Sequence, residues 1–401
     1  MILCLLALGA VAGFWLWVAL ATVQRATFRQ VLKSNDSTPA GELPAVTVIV
    51  PARNEAEMLP TTIPSLCRQD HPAVAVIVVD DQSDDSSAEV LQRLTSEFPN
   101  LIVVHGIDRP VGWLGKNWAV QQGFERARTD WILFTDADCV FHPAALRVGQ
   151  ELMIRQGLDV LSLCPRPTFG HFSEAIGVSG LMTALTMIIP IKKANDPRYP
   201  DVALAAGAFI LVRRAAYERI GGHAAVRAHM TEDLAIGRRF KAAGEKIQLC
   251  LAGDLITTRM YEGFADMWEG LSKNAFAGMD FKEWKFWGLM AGGLLGTFLV
   301  PFYLLGAIIW LIRLPSFYSA AALILSSVAF AAMSIAHSRS TRWLRLPWWH
   351  ALLMPLSAGL YLLIAANSYL QYHLRGGNVW KGRRYDPKLL RSATDQSATS
   401  R

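Results

Sequence analysis

The chain has 401 residues, of which 52% are hydrophobic and only 18% charged, with 13 tryptophans; that apolar balance excludes an ordinary water-soluble globular protein. The net charge of +6 does not indicate nucleic acid, because the basic residues flank apolar segments (Arg25, Arg29 and Lys33, then Arg339, Arg342 and Arg345) and form no basic face with interleaved aromatics. Five scattered cysteines without a CxxC pair argue against a disulfide framework or a zinc site.

Residues 1–23 are almost wholly apolar and long enough to cross a bilayer as a helix. Ala19-Leu20-Ala21 resembles a signal-peptidase site, but no positive charge precedes the run and it is longer than a usual signal core. Lys and Arg follow the segment, which by the positive-inside rule places the next domain in the cytoplasm of an inner-membrane protein. Residues 24–44, ending in the polar stretch Ser34–Leu43, read as a linker.

From Ala45 apolar runs alternate with helical patterns. AVTVIVP predicts a buried parallel strand, and Glu55–Arg68 a helix that Pro60 and Pro64 shorten or break. VAVIVVDD is a second strand, after which Ser83 and Asp84 offer N-caps to a helix through Glu97. Leu101–His105 is a third strand, Lys116–Arg128 a helix, and Trp131–Thr135 a fourth strand. This alternation predicts an α/β fold with a doubly wound sheet, whose ligands bind beyond the carboxyl ends of the strands. Polar residues stand at three of those ends: Arg53-Asn54-Glu55, Asp80-Asp81, and Asp136 with Asp138. Further on, Leu158–Cys164 and Ala205–Val212 read as strands. Ile176–Ile191 reads as an interfacial helix or acceptor-groove wall, and Thr231–Ala243 as a helix with Thr231 at its N-cap.

After Lys285 come three apolar stretches long enough to cross: Phe286–Ile312, Phe317–Ala336 and Trp348–Leu370. Arg339–Arg345 and the tail Arg375–Arg391 both favour the cytoplasm although one span separates them. Either the last segment is re-entrant or interfacial, helped by Pro347 and Pro355, or one loop breaks the rule. The segmentation is an anchor (1–23), a linker (24–44), an α/β domain (45–284), membrane helices (285–372) and a basic tail (373–401).

Asp136 and Asp138, at i and i+2 after a short apolar strand, suit a magnesium or manganese ion that also grips a diphosphate, since alternate residues of a strand face one side. The same DxD pattern opens phosphatases that use the first Asp as nucleophile, but there it follows the first strand of the domain rather than the fourth. No GxGxxG or GxxxxGK(S/T) loop is present, so neither a dinucleotide nor a Walker-type site is expected.

Taken together, VIVPARNE, VVDDQSDD, GWLGKNWA, FTDADC and TEDLAIGRRFKAAG resemble the family 2 glycosyltransferases with the GT-A (Rossmann-like) fold, in that family's order from Val46 to Gly278. PVGWLGKNWAV, GGHAAVR, RMYEGF, WEGLSKN and GNVWKGRRY carry a nearer likeness to membrane glycosyltransferases that act on carotenoids or accompany hopanoid synthesis. The ceramide glucosyltransferases are a more distant likeness. The resemblance implies that Pro51, Ala52, Arg53, Asn54, Glu55 and Asp81 hold the base and ribose of a nucleotide sugar, with Lys116 nearby. It implies that Asp138 ligates the divalent cation, that Asp136 faces the ribose or the metal, and that Asp233, beside Glu232, is the general base. Where processive members and the ceramide enzymes carry a QxxRW-type motif, this chain reads MWEGLSKNAFAG, in which Lys273 would supply the cation of the missing Arg. The expected partners are a UDP-linked sugar donor, a lipid acceptor hydroxyl and the bilayer, without nucleic acid. A polyprenyl-phosphate glycosyltransferase and a non-catalytic membrane scaffold remain the alternatives.

Overall fold

A computed structural model of the chain describes residues 1–26, 31–37, 41–188, 191–199, 202–203, 205–380 and 383–385. Two compact units interleave along the sequence. One comprises Met1–Phe28, Phe169–Pro190 and Tyr261–Asn378, the other Arg29–Thr168, Ile191–Met260 and Val379–Arg401.

The chain opens with α1 (Ile2–Ala26) and continues through β1 (Val46–Ala52), α2 (Leu59–Cys67), β2 (Val74–Asp80), α3 (Ser87–Glu97), β3 (Leu101–His105), α4 (Gly115–Arg126) and β4 (Trp131–Phe134). Next come β5 (Cys139–Phe141), α5 (Ala145–Gln156), β6 (Val160–Cys164), β7 (Arg166–Pro167), α6 (Phe172–Ile188), α7 (Ile191–Ala194), β8 (Ile210–Arg213) and α8 (Arg214–Arg219). They are followed by α9 (Glu232–Ala242), β9 (Ile247–Leu251), β10 (Ile256–Thr258), α10 (Gly263–Ala275), α11 (Glu283–Gly293), α12 (Val300–Arg313), α13 (Phe317–Trp343) and α14 (Met354–Leu374). Two short strands, β11 (Asn378–Trp380) and β12 (Arg383–Tyr385), close the described chain.

In the α/β unit a seven-stranded sheet runs in the order β3-β2-β1-β4-β8-β6-β9. The first four strands are mutually parallel, but β8 is antiparallel to both β4 and β6. The sheet is therefore mixed, because an apolar run predicts a strand without encoding its direction. Side chains alternate between its faces, as the pleat requires. Val46, Val48 and Val50 join one core with Leu59, Ile63, Leu91 and Leu146. Ile49, Ile77 and Val79 join the other with Val120, Tyr217 and Phe240. Helix α4 lies so close to the sheet that a Cβ on Gly123 would meet Ile49 Cγ2 at 2.6 Å. A smaller sheet, β5-β10-β7, adjoins the end of β4.

Several predicted elements are shortened. Helix α2 starts only at Leu59, with Pro60 in its first turn, where a missing N–H costs nothing, and Pro64 inside. Helix α3 starts at Ser87, so Ser83 and Asp84 cap nothing; both bond to Asn54 instead. Ala205–Val212 is a strand only from Ile210, because Ala206–Phe209 makes a turn. Part of the expected linker is ordered: Val31 bridges Leu251, and Ser34 bonds to Asp254 through its amide and hydroxyl.

The helical unit packs α1 against α13 through Ala12, Trp15, Val18, Ala19, Ala329, Ala332 and Met333. The Trp15 indole donates to the Gly296 carbonyl at 2.6 Å. Among the described residues, three helices are long and apolar enough to cross a membrane: Ile2–Ala21, Phe317–Trp343 and Trp348–Leu374. A fourth candidate is the pair Glu283–Phe298 and Val300–Arg313, bent by 42°. The break thus falls in the first of the three late segments, where Leu294–Phe298 forms a π-turn just before Pro301. The last segment, whose prolines sit at its start, continues as an unbroken helix from Met354 to Leu374. Ile176–Ile191 overlaps α6, a shorter apolar helix of the same unit; Ile189 and Pro190 lie outside the described residues.

Candidate active site

The carboxyl ends of β1, β2 and β4 meet where the strand order reverses on either side of β1, the place at which open α/β sheets leave a crevice. On the β1 side, Pro51 and Ala52 belong to the strand and Arg53-Asn54-Glu55 leave it. Arg53 Nη1 donates to the carbonyls of Asp81 and Gln82 at 2.8 and 2.6 Å, tying the ends of the two strands together. Asn54 and Asp84 bond reciprocally, Nδ2 to Oδ1 and amide to Oδ1, while the Asn54, Glu55 and Ala56 amides go to Ser83, Ser87 and Asp85. Asn54 and Gln82 both adopt left-handed backbone (φ 52 and 56), a conformation that a fixed rim enforces and a slack loop does not. Asp81 is buried behind this rim, its amide bonded to the Ala52 carbonyl.

On the β4 side the strand ends at Phe134, before either carboxylate of the DxD. Strand alternation therefore does not orient the two carboxylates: Asp136 is in coil and Asp138 in a turn. Asp136 Oδ1 lies 2.7 Å from Lys116 Nζ, whereas Asp138 Oδ1 accepts from the Cys139 thiol at 3.3 Å. Lys116, in the first turn of α4, also reaches Glu232 Oε1 at 2.5 Å. Asp233 Oδ1 accepts from the Leu234 amide at 2.8 Å and Oδ2 from the Gly207 amide at 3.3 Å. Thus β4, α4, α9 and the turn before β8 converge on one chain of charges, Asp136–Lys116–Glu232, with Asp233 at its end.

Four carboxylates around one ammonium leave excess negative charge. Burial and the neighbouring Asp136 push Asp138 up to about 6. Burial and the adjacent Glu232 push Asp233 up to about 6 as well. Burial alone would lower Lys116, but Asp136 and Glu232 together hold it well above its ordinary value, so it is firmly cationic. His223, buried near Lys116 and bonded through Nδ1 to the Tyr217 hydroxyl at 2.7 Å, is pushed down to about 3 and is a neutral structural group.

Asp136 and Asp138 offer hard oxygens with unbalanced charge, a donor set that fits Mg²⁺ or Mn²⁺. No group of three or more metal-binding side chains occurs among the described residues. Lys273 lies on α10, in the helical unit.

Two contributors were missed in the sequence. Gly207 packs so closely that a Cβ would stand 3.3 Å from both Asp136 Oδ2 and Lys116 Nζ. Asn117 is buried, and its amide nitrogen donates to the carbonyls of Val226, Arg227 and His229, fixing the segment that leads into Glu232. A small residue before a strand and an Asn beside the singled-out lysine were the only signals.

Comparison with known proteins adds three findings. Residues 47–221 match the model of glycosyl transferase family 2. Over 359 residues the chain is 28% identical to 4,4'-diaponeurosporenoate glycosyltransferase of Staphylococcus aureus strain USA300, covering 85% of this chain and 88% of that protein. A mannosyltransferase from Pyrobaculum calidifontis, solved with GDP-Man and Mn²⁺, superposes with a TM-score of 0.51 at 17% identity, over 92% of this chain and 99% of that one.

Proposed function

We propose that this glycosyltransferase, whose residues 47–221 match the model of glycosyl transferase family 2, moves a sugar from a nucleoside-diphosphate donor, UDP-linked, to the polar end of a carotenoid-like membrane lipid, with inversion. The observation that supports this reading is the run Asp136–Lys116–Glu232, with Asp138 two residues from one end and Asp233, a carboxylate of raised pKa, beside the other.

In this reading the rim Pro51–Glu55 with Asp81 receives base and ribose, and Asp136 and Asp138 hold the divalent cation. The cation would stabilise the charge that collects on the departing diphosphate. Asp233 takes the proton from an acceptor hydroxyl as it attacks the anomeric carbon, and the single displacement inverts that carbon. Lys116 bridges Glu232 and Asp136 and offsets part of the site's negative charge. Lys273 would contribute a cation on the diphosphate side. The three apolar helices anchor the chain in the membrane, with Arg25 and Lys33 keeping the domain cytoplasmic. The acceptor enters from the lipid phase.

The S. aureus relative is named for a carboxylate, diaponeurosporenoate. A carboxylate acceptor arrives already deprotonated and needs no base, as does a polyprenyl phosphate. Membranes containing the full chain, supplied with UDP-sugars and with polyenes ending in a hydroxyl or in a carboxyl, separate the cases. For a hydroxyl acceptor, Asp233→Asn should lower transfer by about 10²–10⁴-fold; undiminished transfer would reassign Asp233. Absence of transfer from every nucleotide sugar to every lipid would remove the reading.

A further inference from the structure

The loop from the end of β3 to the start of α4 presents apolar side chains to solvent beside the candidate active site. Val111 is 103% exposed and Ile107 63%. The loop is braced on both sides. The Gly106 amide donates to the Asp80 carbonyl at 2.8 Å, the Ile107 amide to Gln122 Oε1 at 2.9 Å, and the Trp118 indole to the Ile107 carbonyl at 3.2 Å. The exposed Asp108 accepts through Oδ1 from Gln82 Nε2 at 2.8 Å. On the far side the Leu114 amide bonds to the Arg227 carbonyl, and Trp113 packs edge-on against Trp118 at 5.1 Å. Gly112, at φ 88, makes the turn that leaves Val111 at the tip. Two exposed guanidinium groups flank that tip: Arg109 on the loop, and Arg227, whose Nε lies 3.9 Å from where a Cβ on Gly112 would stand.

A single exposed valine is ordinary on a protein surface. Here, however, a braced turn holds out two aliphatic side chains, a half-buried tryptophan sits behind them, and arginines stand at their sides. Each group suits the boundary between headgroups and acyl chains: aliphatic side chains below it, indole within it, guanidinium at the phosphates. We propose that the loop Ile107–Trp113, with Arg109 and Arg227, is a lipid-surface contact of the α/β unit that inserts Val111 and Ile107 into an anionic bilayer. Since the loop runs directly into Gly115 and Lys116, docking would restrain the side of the site that carries Lys116. The inference extends the membrane anchoring proposed above to a second, peripheral contact.

The test uses the full chain with Cys4→Ser and Val111→Cys, carrying an environment-sensitive fluorophore at position 111, in vesicles of phosphatidylcholine and phosphatidylglycerol. Some of the lipids bear a nitroxide near the headgroup. Quenching should be at least about twofold stronger than from the same label at Glu97→Cys on the exposed end of α3, and weaker without phosphatidylglycerol or at high salt. Equal quenching at the two positions overturns the proposal. Quenching that appears only when a polyene acceptor is added also overturns it, in favour of an acceptor contact. A chain that does not float with the vesicles overturns the anchoring and this contact with it. As a second measurement, Arg109→Gln with Val111→Asp should lower transfer to a bilayer-embedded acceptor about tenfold at unchanged donor KM and melting temperature; unchanged transfer overturns the contact.

Discussion

Lys116 Nζ lies 2.5 Å from Glu232 Oε1. That ion pair joins the first turn of α4 to the first turn of α9, two helices more than a hundred residues apart in the chain. Through Lys116 it also connects Asp136, proposed above as a cation ligand, to Glu232, the neighbour of the carboxylate proposed as base.

Lys116→Met leaves Glu232 without its partner. The glutamate side chain is 11% exposed but the lysine 41%, so the loss falls below the roughly 3–5 kcal/mol of a fully buried pair, at about 1–2 kcal/mol. Thermal unfolding checks this, and donor binding by calorimetry should weaken in parallel. Lys116→Arg should recover stability better than binding, since a planar fork cannot reproduce a point charge shared between two carboxylates.

Asp138→Ala removes one of the two carboxylates proposed to hold the cation. Divalent-dependent binding of a nucleotide sugar, read by calorimetry with Mn²⁺, should fall at least about tenfold while metal-independent binding changes little. Equal binding with and without Asp138 would show that the cation is held elsewhere.

The raised pKa of Asp233 has a stability signature with a defined sign. Its carboxyl moves from 3.8 to about 6 on folding, so the stabilisation it contributes is complete below 3.8 and is lost as pH rises through about 6. Asp233→Asn should therefore unfold at a higher temperature than the parent at pH 8 and not at pH 4. The difference is about 1 kcal/mol after screening by solvent at a half-buried group. With a hydroxyl acceptor, parental transfer should rise with pH through about 6. Glu232→Gln, which removes the adjacent negative charge, should move that limb to lower pH, and Lys116→Met should move it higher.

Gly207→Ala should leave the fold intact and impair the site. The new methyl would press on Asp136 Oδ2 and Lys116 Nζ, each at 3.3 Å, and displace the amide that bonds Asp233. Transfer about tenfold lower, with little change in melting temperature, is the expected outcome.

The sequence by itself determined the first four strands and the apolar helices, and it carried the resemblance to the glycosyltransferases. Those rest on local periodicity and on residue types at short spacings, as in Val46–Ala52, Val74–Asp80 and the FTDADC segment. It also singled out Asp136, Asp138, Lys116, Glu232 and Asp233, although as separate motifs. Tertiary structure alone decided that Lys116 bridges Asp136 and Glu232, that Gly207 and Asn117 belong to the same neighbourhood, and that β8 runs against β4. It also decided that the break among the late apolar segments falls at Leu294–Phe298 rather than in the last one, and that Val31 pairs with the edge of β9. Strand direction, ion pairing and close backbone approach join residues distant in the chain. Periodicity records which face of an element is buried, not what lies against it.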